Sequence, residues 1–271
     1  SRIQFGDQAA GMPILGPAEQ IAAYTRDDLA NYRARHYHPE NCVVALAGNY
    51  DPEQVLALMQ QYFGEWKKSG QRQNVPPMQP IPGQKAAREK DTEQLHICLG
   101  YPGTFLGSDE LYPMSVMNNL LGGAMSSRLF QKIREEMGMA YSIYTYPSTY
   151  VGCGTFAVYA GVSPKNGHAV LDETLKQLDL LCRDGVTEKE FREAKNQLRG
   201  SYLLGLESPG SRMQSMGRGQ LHLDRCMTPE ETVAKIEAVT IESVNAVARR
   251  IFSNAPCISV VGKQAETYIK E

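Results

Sequence analysis

Three closely spaced residues carry the side chains of a possible metal site. His36, His38 and Glu40 alternate along the chain, and alternate residues of an extended strand share one face. Pro39 interrupts such a strand, and the residues before it are predicted to end a helix, so a structural role is favoured over metal binding. Neither H-x-x-E-H nor H-E-x-x-H occurs, and the remaining histidines are isolated. We therefore expect the chain to bind no zinc and to form no hydrolytic centre from its own residues.

A glycine motif at residues 152–157, GCGTFA, matches the G-x-G-x-x-A fingerprint of dinucleotide-binding loops. That fingerprint must open a helix, because the helix N-terminus holds the phosphates. The residues from 155 onward, TFAVYAGV, are β-branched and aromatic and favour a strand, so the glycines are interpreted as the end of a hairpin loop. Neither a P-loop nor a G-x-S-x-G sequence occurs, which excludes those phosphate-binding and nucleophilic chemistries.

A third candidate site surrounds a pair of glycines. Gly122 and Gly123 end one predicted helix, and serines cap the next helix, which carries Arg134 at the edge of its apolar stripe. Gly138 is suited to end that second helix before the strand of Tyr141. On residue types alone, this region is a tight connection between helices with a solvent-exposed arginine and a core tyrosine.

The elements that position these candidates are predicted from helix caps and hydrophobic periodicity. Two helices are expected at about 109–121 and 125–137. Apolar, β-branched and aromatic runs predict strands at 42–48, 94–100, 140–146, 153–162 and 257–262. Further helices are expected to begin at the cap residues Thr25, Asp51, Thr187 and Thr228.

Composition narrows the possible function classes. The 271-residue chain has 28 Lys and Arg against 30 Asp and Glu, so it lacks the basic surface of a nucleic-acid-binding protein. No apolar run reaches the ~18–20 residues of a membrane-spanning helix, and the first residues do not resemble a signal peptide. The six cysteines form no C-x-x-C pair. We expect them to be buried free thiols, which favours a reducing cytoplasm.

A stretch rich in proline, glycine and glutamine separates two parts of the chain. Residues 69–83 read SGQRQNVPPMQPIPG and lack apolar periodicity, which is typical of a linker with polyproline character. We therefore predict a first region at 1–68, a linker at 69–86 and a second region at 87–271.

Two segments of the chain share one pattern at an offset of 215 residues. Each has a threonine-capped helix, a turn containing Asn and Pro, and an apolar strand that ends in glycine. The matching residues are Thr25, Tyr37 and Cys42 in the first segment and Thr240, Phe252 and Cys257 in the second. From the residues alone, the shared pattern can be explained either by duplication of a domain or by coincidence. If the chain is duplicated, the first copy has only 24 residues before its segment and lacks most of its N-terminal part.

Residues 120–164 read LLGGAMSSRLFQKIREEMGMAYSIYTYPSTYVGCGTFAVYAGVSP. They resemble the second-domain signature of the insulinase/pitrilysin-type zinc peptidases, in the branch that contains mitochondrial processing peptidase and its bacterial relatives. The similarity extends over nearly the whole chain. The stretch PILGPAEQIAAYTRDDLANYRARHYHPENCVVALAGN resembles the end of the family's first domain, and AVTIESVNAVARRIF resembles the last helix of its second.

This resemblance implies an α+β fold, a duplicated antiparallel-rich sheet with helices packed mainly on one face. Two such units form half of a clamshell around a peptide substrate, and the other half is a homo- or hetero-dimer partner of the same family. The family's zinc ligands lie on H-x-x-E-H, early in the first domain, and this sequence begins downstream of them. Residues 1–68 are therefore expected to be the C-terminal remainder of the first domain, truncated in this fragment, and residues 87–271 the second domain.

The resemblance also implies roles for the third candidate site. In R-E-x-x-G-x-A-Y, Arg134 and Tyr141 would reach toward the substrate and the tetrahedral intermediate, and Gly122 and Gly123 would form the glycine-rich loop. Zinc is then expected in the intact enzyme, a metalloendopeptidase, and this chain alone is expected to be inactive. The alternative is a non-catalytic partner subunit, or a scaffold like a respiratory-complex core protein, with the same fold.

Overall fold

The structure, a computed structural model, describes residues 1–68 and 76–269, which form two compact units built from separate stretches of the chain. The first, which we call the sheet unit, comprises Ser1–Met12, Pro77–Gly200 and Val233–Glu271. The second, the helical unit, comprises Pro13–Pro76 and Ser201–Thr232. Residues 69–75 of the predicted linker lie outside the described residues, and the predicted domain boundaries stay predictions.

The described residues are mostly helical. The α-helices are α1 (Arg2–Phe5), α2 (Ala18–Ala23), α3 (Arg26–His36), α4 (Pro52–Phe63), α5 (Leu111–Asn118), α6 (Gly167–Asp184), α7 (Glu188–Gly205), α8 (Pro209–Leu223), α9 (Pro229–Glu237) and α10 (Ile241–Phe252). Short 3-10 turns lie at Ala9–Gly11, Pro39–Asn41, Pro164–Asn166 and Ala265–Tyr268, and π-helical turns at Asn119–Gly123 and Phe130–Glu136. No helix in this described part of the chain is long and apolar enough to cross a membrane.

Within residues 1–68 and 76–269, the strands form one sheet. They are β1 (Lys85–Glu89), β2 (Leu95–Pro102), β3 (Ala140–Thr149), β4 (Gly154–Val162) and β5 (Cys257–Gly262), in the spatial order β1-β5-β2-β4-β3. β1 pairs parallel with β5, and the remaining neighbours pair antiparallel. The predicted α+β class is confirmed. β1 begins at Lys85, inside the range 69–86 that the sequence predicts as a linker.

The core of the sheet unit lies between one face of the sheet and the helices α5, α6 and α10. Along β2, Leu95, Ile97 and Leu99 are buried in this core, whereas His96 and Cys98 point to the other face and are half-buried. α10 contributes four buried apolar residues: Val244, Val247, Ala248 and Ile251. Burial of an aliphatic side chain contributes ~1.5–3 kcal/mol, so packing against these helices holds the sheet together.

The helical unit has no buried residue among those that the structure describes. Many of its large apolar side chains are exposed, including Val43, Val44 and Leu46. The prediction of a strand at 42–48 is wrong. Cys42 has extended backbone angles, but none of residues 42–48 pairs with a strand among the described residues. A strand is held by hydrogen bonds to a neighbouring strand, and the described part of this unit contains no strand that could supply them.

The cysteines are free thiols, as predicted, but they are not uniformly buried. Cys153 and Cys257 are buried, and Cys98 and Cys182 are half-buried. The prediction of burial is wrong for the two exposed cysteines, Cys42 and Cys226. Both belong to the helical unit, where no described side chain is packed into a core.

Candidate functional site

The glycine pair lies in a π-helical turn that rests on the edge strand β3. A Cβ atom on Gly122 would come within 2.6 Å of Thr145 Cγ2 and 2.7 Å of the Thr145 backbone nitrogen, so only glycine fits there. The Thr145 hydroxyl donates to Asn118 Oδ1 at 2.8 Å, which fixes the start of the same turn. Gly123 follows on the exposed side. The helix predicted at about 109–121 therefore ends as an α-helix at Asn118 and continues as this wider turn.

Arg134 lies in the π-helical segment Phe130–Glu136, within the helix predicted at about 125–137. Its guanidinium lies over the ring of Phe130, 4.8 Å from the ring centroid, and its Nε is 3.9 Å from Glu135 Oε1. The first is a cation–π contact with a ring and not a hydrogen bond to an acceptor, and the second is longer than a hydrogen bond. Both contacts therefore leave the guanidinium N–H groups able to donate to a further acceptor.

Gly138 separates the helical segment from β3. Its φ of +62° is in the left-handed region, where glycine is favoured, and the next backbone N–H, of Met139, donates to Ile133 O at 3.1 Å. This is the C-terminal glycine that the sequence predicts. It turns the chain sharply, so that β3 begins at Ala140, two residues after the glycine.

Tyr141 is the extra residue of a β-bulge. Ala140 pairs with Val162 and Ser142 pairs with Gly161, so Tyr141 has no partner of its own on β4. A bulge redirects the side chain of its extra residue, and Tyr141 is 76% exposed, between two neighbours that are more buried. The interpretation of Tyr141 as a core tyrosine is therefore wrong. The sequence does not predict the bulge, because it depends on the register between β3 and β4.

A polar and aromatic cluster lies on the sheet face that points away from the core. Tyr159 Oη lies 2.7 Å from His96 Nδ1, and its hydroxyl also bonds to the hydroxyl of Ser142, next to the bulge. The ring of Tyr144 lies 5.0 Å from that of Tyr159. Burial raises the pKa of the Tyr159 hydroxyl, which therefore stays protonated at neutral pH. Sequence reasoning treats His96 as isolated, although its place between buried residues of β2 puts it on this face.

The described residues do not fit a zinc ion. Across residues 1–68 and 76–269, no three His, Cys, Asp or Glu side chains come together as metal ligands. In the H-x-H-x-E stretch, His36 packs against the ring of Tyr32 at 4.4 Å between centroids, and His38 Nε2 lies 2.9 Å from Arg35 O. Both histidines are therefore engaged in local contacts at the end of α3.

Comparison with known families identifies most of the chain. Residues 23–198 match the family model described as the Peptidase M16 inactive domain. The chain is 36% identical over 262 residues to a Bacillus subtilis protein named as the uncharacterized zinc protease YmxG. The match covers 96% of this chain and 63% of that protein. This chain therefore spans less than two thirds of its relative's length.

Two solved structures share the fold. The M16 inactive domain protein from Pseudomonas fluorescens superimposes with a TM-score of 0.88 at 20% identity, over 97% of this chain and 63% of that one. A chain of complex III2 from Candida albicans, in a structure with Inz-5 bound, gives a TM-score of 0.84 at 20% identity, over 96% of this chain and 64% of that one. At these identities the likeness is one of fold.

Proposed function

Since the chain belongs to the M16 peptidase family, the insulinase/pitrilysin-type family that its sequence resembles, we propose that it supplies substrate-binding and transition-state-stabilising side chains to a metalloendopeptidase. The observation that carries this proposal is Tyr141, which a β-bulge directs away from the core immediately after the turn that follows Arg134. A tyrosine needed only for packing would not be 76% exposed on a bulge.

Arg134 and Tyr141 are suited to hold a peptide carbonyl. The guanidinium offers several donors in a fixed fork, and the phenol offers one donor on a rigid stem. As a carbonyl oxygen gains negative charge during hydrolysis, hydrogen bonds from these donors strengthen, and each charge-assisted bond contributes ~1.5–3 kcal/mol. Gly123, which is exposed and has no side chain, would leave the nearby backbone open to an extended peptide, and the buried Gly122 lets this turn rest on Thr145.

We propose that residues 1–68 are the remainder of a first peptidase domain and residues 87–271 a second domain. The exposed apolar surface and the unpaired stretch 42–48 of the helical unit support this proposal, because a further strand would cover both. Zinc, which the name of the Bacillus relative implies for the intact enzyme, would be held by residues outside this chain. A second copy, or another protein of the same family, would complete the clamshell.

The alternative function is a non-catalytic subunit or core-protein-like scaffold. It is favoured by one observation, the close fold match to a chain of complex III2. In such a protein the same sheet unit would serve assembly, and neither Arg134 nor Tyr141 would meet a substrate.

Peptide hydrolysis by the complete parent protein distinguishes these functions. We expect the parent protein to carry H-x-x-E-H and to cleave unstructured peptides in a reaction that a chelator abolishes. The isolated 271-residue chain, dialysed and analysed for metal, is the control and should contain no stoichiometric zinc and cleave nothing. A parent protein without the motif and without hydrolysis would favour the scaffold.

A further inference from the structure

A bidentate ion pair anchors the helical residues 128–136, which include Arg134. Arg128 Nε lies 2.5 Å from Glu190 Oε1, and its Nη2 lies 2.8 Å from Glu190 Oε2. The same Nη2 donates to Gly185 O at 2.9 Å. The two side chains are only 17% and 29% exposed. One guanidinium therefore joins the Arg134 segment to the end of α6 and the start of α7.

The Glu190 carboxylate has a second set of partners, which fixes its position. It accepts from the Thr187 backbone N–H at 2.9 Å and from the Thr187 hydroxyl at 2.7 Å, as the capping box of α7. Burial opposes ionisation of this carboxyl, but the hydrogen bonds from Arg128 and Thr187 outweigh it and lower the pKa of Glu190 to about 2. The carboxylate is therefore charged throughout the physiological pH range.

Apolar packing alone does not fix the orientation of this segment. Leu129 and Ile133 are fully buried and hold it against the core, but apolar contact is non-directional. Arg128 and Glu190 instead line an open cavity of about 490 Å³, whose other lining residues are largely polar, among them Lys132. The bidentate pair supplies a directional contact on this side, because its two parallel hydrogen bonds are satisfied in one geometry.

We propose that Arg128 and Glu190 are positioning residues, which hold the segment in the rotation that presents Arg134 to a substrate. Neither residue touches the substrate itself, since both are turned to each other. Residues 128–136 are one continuous helical run, which Arg128 begins and which contains Arg134 six residues later, so a change in the anchor of Arg128 is transmitted along that run. This inference rests on the proposed function of Arg134.

The test is a double-mutant cycle in the complete parent enzyme. Glu190→Gln keeps the shape of the side chain and removes its charge, and we expect about a fivefold loss of kcat/KM when Arg134 is present. In an Arg134→Ala background, the same change should have less than about a twofold effect, because residues that act as a unit are not additive. Arg128→Lys, which keeps the charge and loses the fork, should behave like Glu190→Gln.

Glu231→Gln is the matched control. Glu231 forms the same kind of capping box with Thr228 and pairs with Arg225, but it lies in the helical unit and both members of the pair are exposed. The Glu231→Gln substitution should leave kcat/KM unchanged. Hydrogen exchange at the amides of residues 128–137 should become faster in Glu190→Gln and stay unchanged in Glu231→Gln.

The outcomes separate this inference from the proposed function. An unchanged kcat/KM for Arg134→Ala would refute the proposed function of Arg134, on which this inference rests. A strong effect of Arg134→Ala with an equal further loss from Glu190→Gln in that background would overturn the positioning role alone. Unchanged hydrogen exchange in both Glu190→Gln and Arg128→Lys would also overturn it, whatever the kinetics.

Discussion

The two segments that share a sequence pattern have the same kind of capped helix but different surroundings. Thr25 caps α3 and Thr240 caps α10, each in a reciprocal capping box with the third residue of its helix. Beyond the helix, the second segment continues into β5, which lies between β1 and β2. The first continues into residues 42–48, which join no ladder with any described residue, and α3 has no buried residue.

The comparison shows that neighbouring residues are enough to form a helix cap, whereas a strand forms only where another part of the chain pairs with it. A helix cap needs residues three positions apart, so both segments form it. A strand needs another strand, and a buried face needs a surface to pack against. The two segments therefore differ in the partners that the described chain offers them.

The largest expected effect on stability is at Val260 in the paired strand β5, compared with Val44 in the unpaired residues 42–48. Val260 in β5 is 0% exposed, whereas Val44 is 55% exposed. In the purified chain, Val260→Asp should lower the free energy of unfolding by more than about 3 kcal/mol, because it buries a charge without a partner. Val44→Asp should change it by less than about 0.5 kcal/mol. Urea unfolding followed by circular dichroism measures both, and equal losses would remove the contrast between the segments.

A second prediction concerns Glu190, the glutamate of the Thr187 capping box. The pKa of Glu190 is lowered to about 2, below its usual 4.5, so its stabilisation is present above pH 4.5 and is lost as the pH falls through about 2. Between pH 5 and pH 2, the native chain should lose on the order of 2–3 kcal/mol that Glu190→Gln does not lose. Thermal unfolding across that range measures the difference. A Glu190→Gln curve parallel to that of the native chain would contradict it.

The smallest expected effect is on the two threonine caps. Thr240→Ala should destabilise the sheet unit by about 1 kcal/mol, since α10 is packed into its core and loses its N-cap. Thr25→Ala removes an equivalent cap, but α3 has no buried residue whose packing depends on it. The melting temperature of the sheet unit should therefore fall only in the first variant. Equal shifts would show that α3 also supports that unit.

The same distinction explains what could be predicted of the candidate site. The caps and the glycine that ends the Arg134 segment follow from neighbouring residues, and the structure has them where the sequence predicts them. The bulge at Tyr141 and the pairing of Arg128 with Glu190 depend on residues far apart in the chain. The sequence predicts the helix cap at Thr187, three residues before Glu190, but not the arginine that pairs with Glu190, because an ion pair between distant residues has no characteristic spacing.

The most direct test of the proposed role is the kinetics of Tyr141→Phe and Arg134→Ala in the complete parent enzyme. If each removes a hydrogen bond that strengthens in the transition state, kcat/KM should fall by about 10-fold or more. The zinc content and the melting temperature should not change, because both side chains are outside the core. Peptide hydrolysis by both variants within about twofold of the unaltered enzyme would contradict the account and leave the bulged tyrosine without a catalytic role.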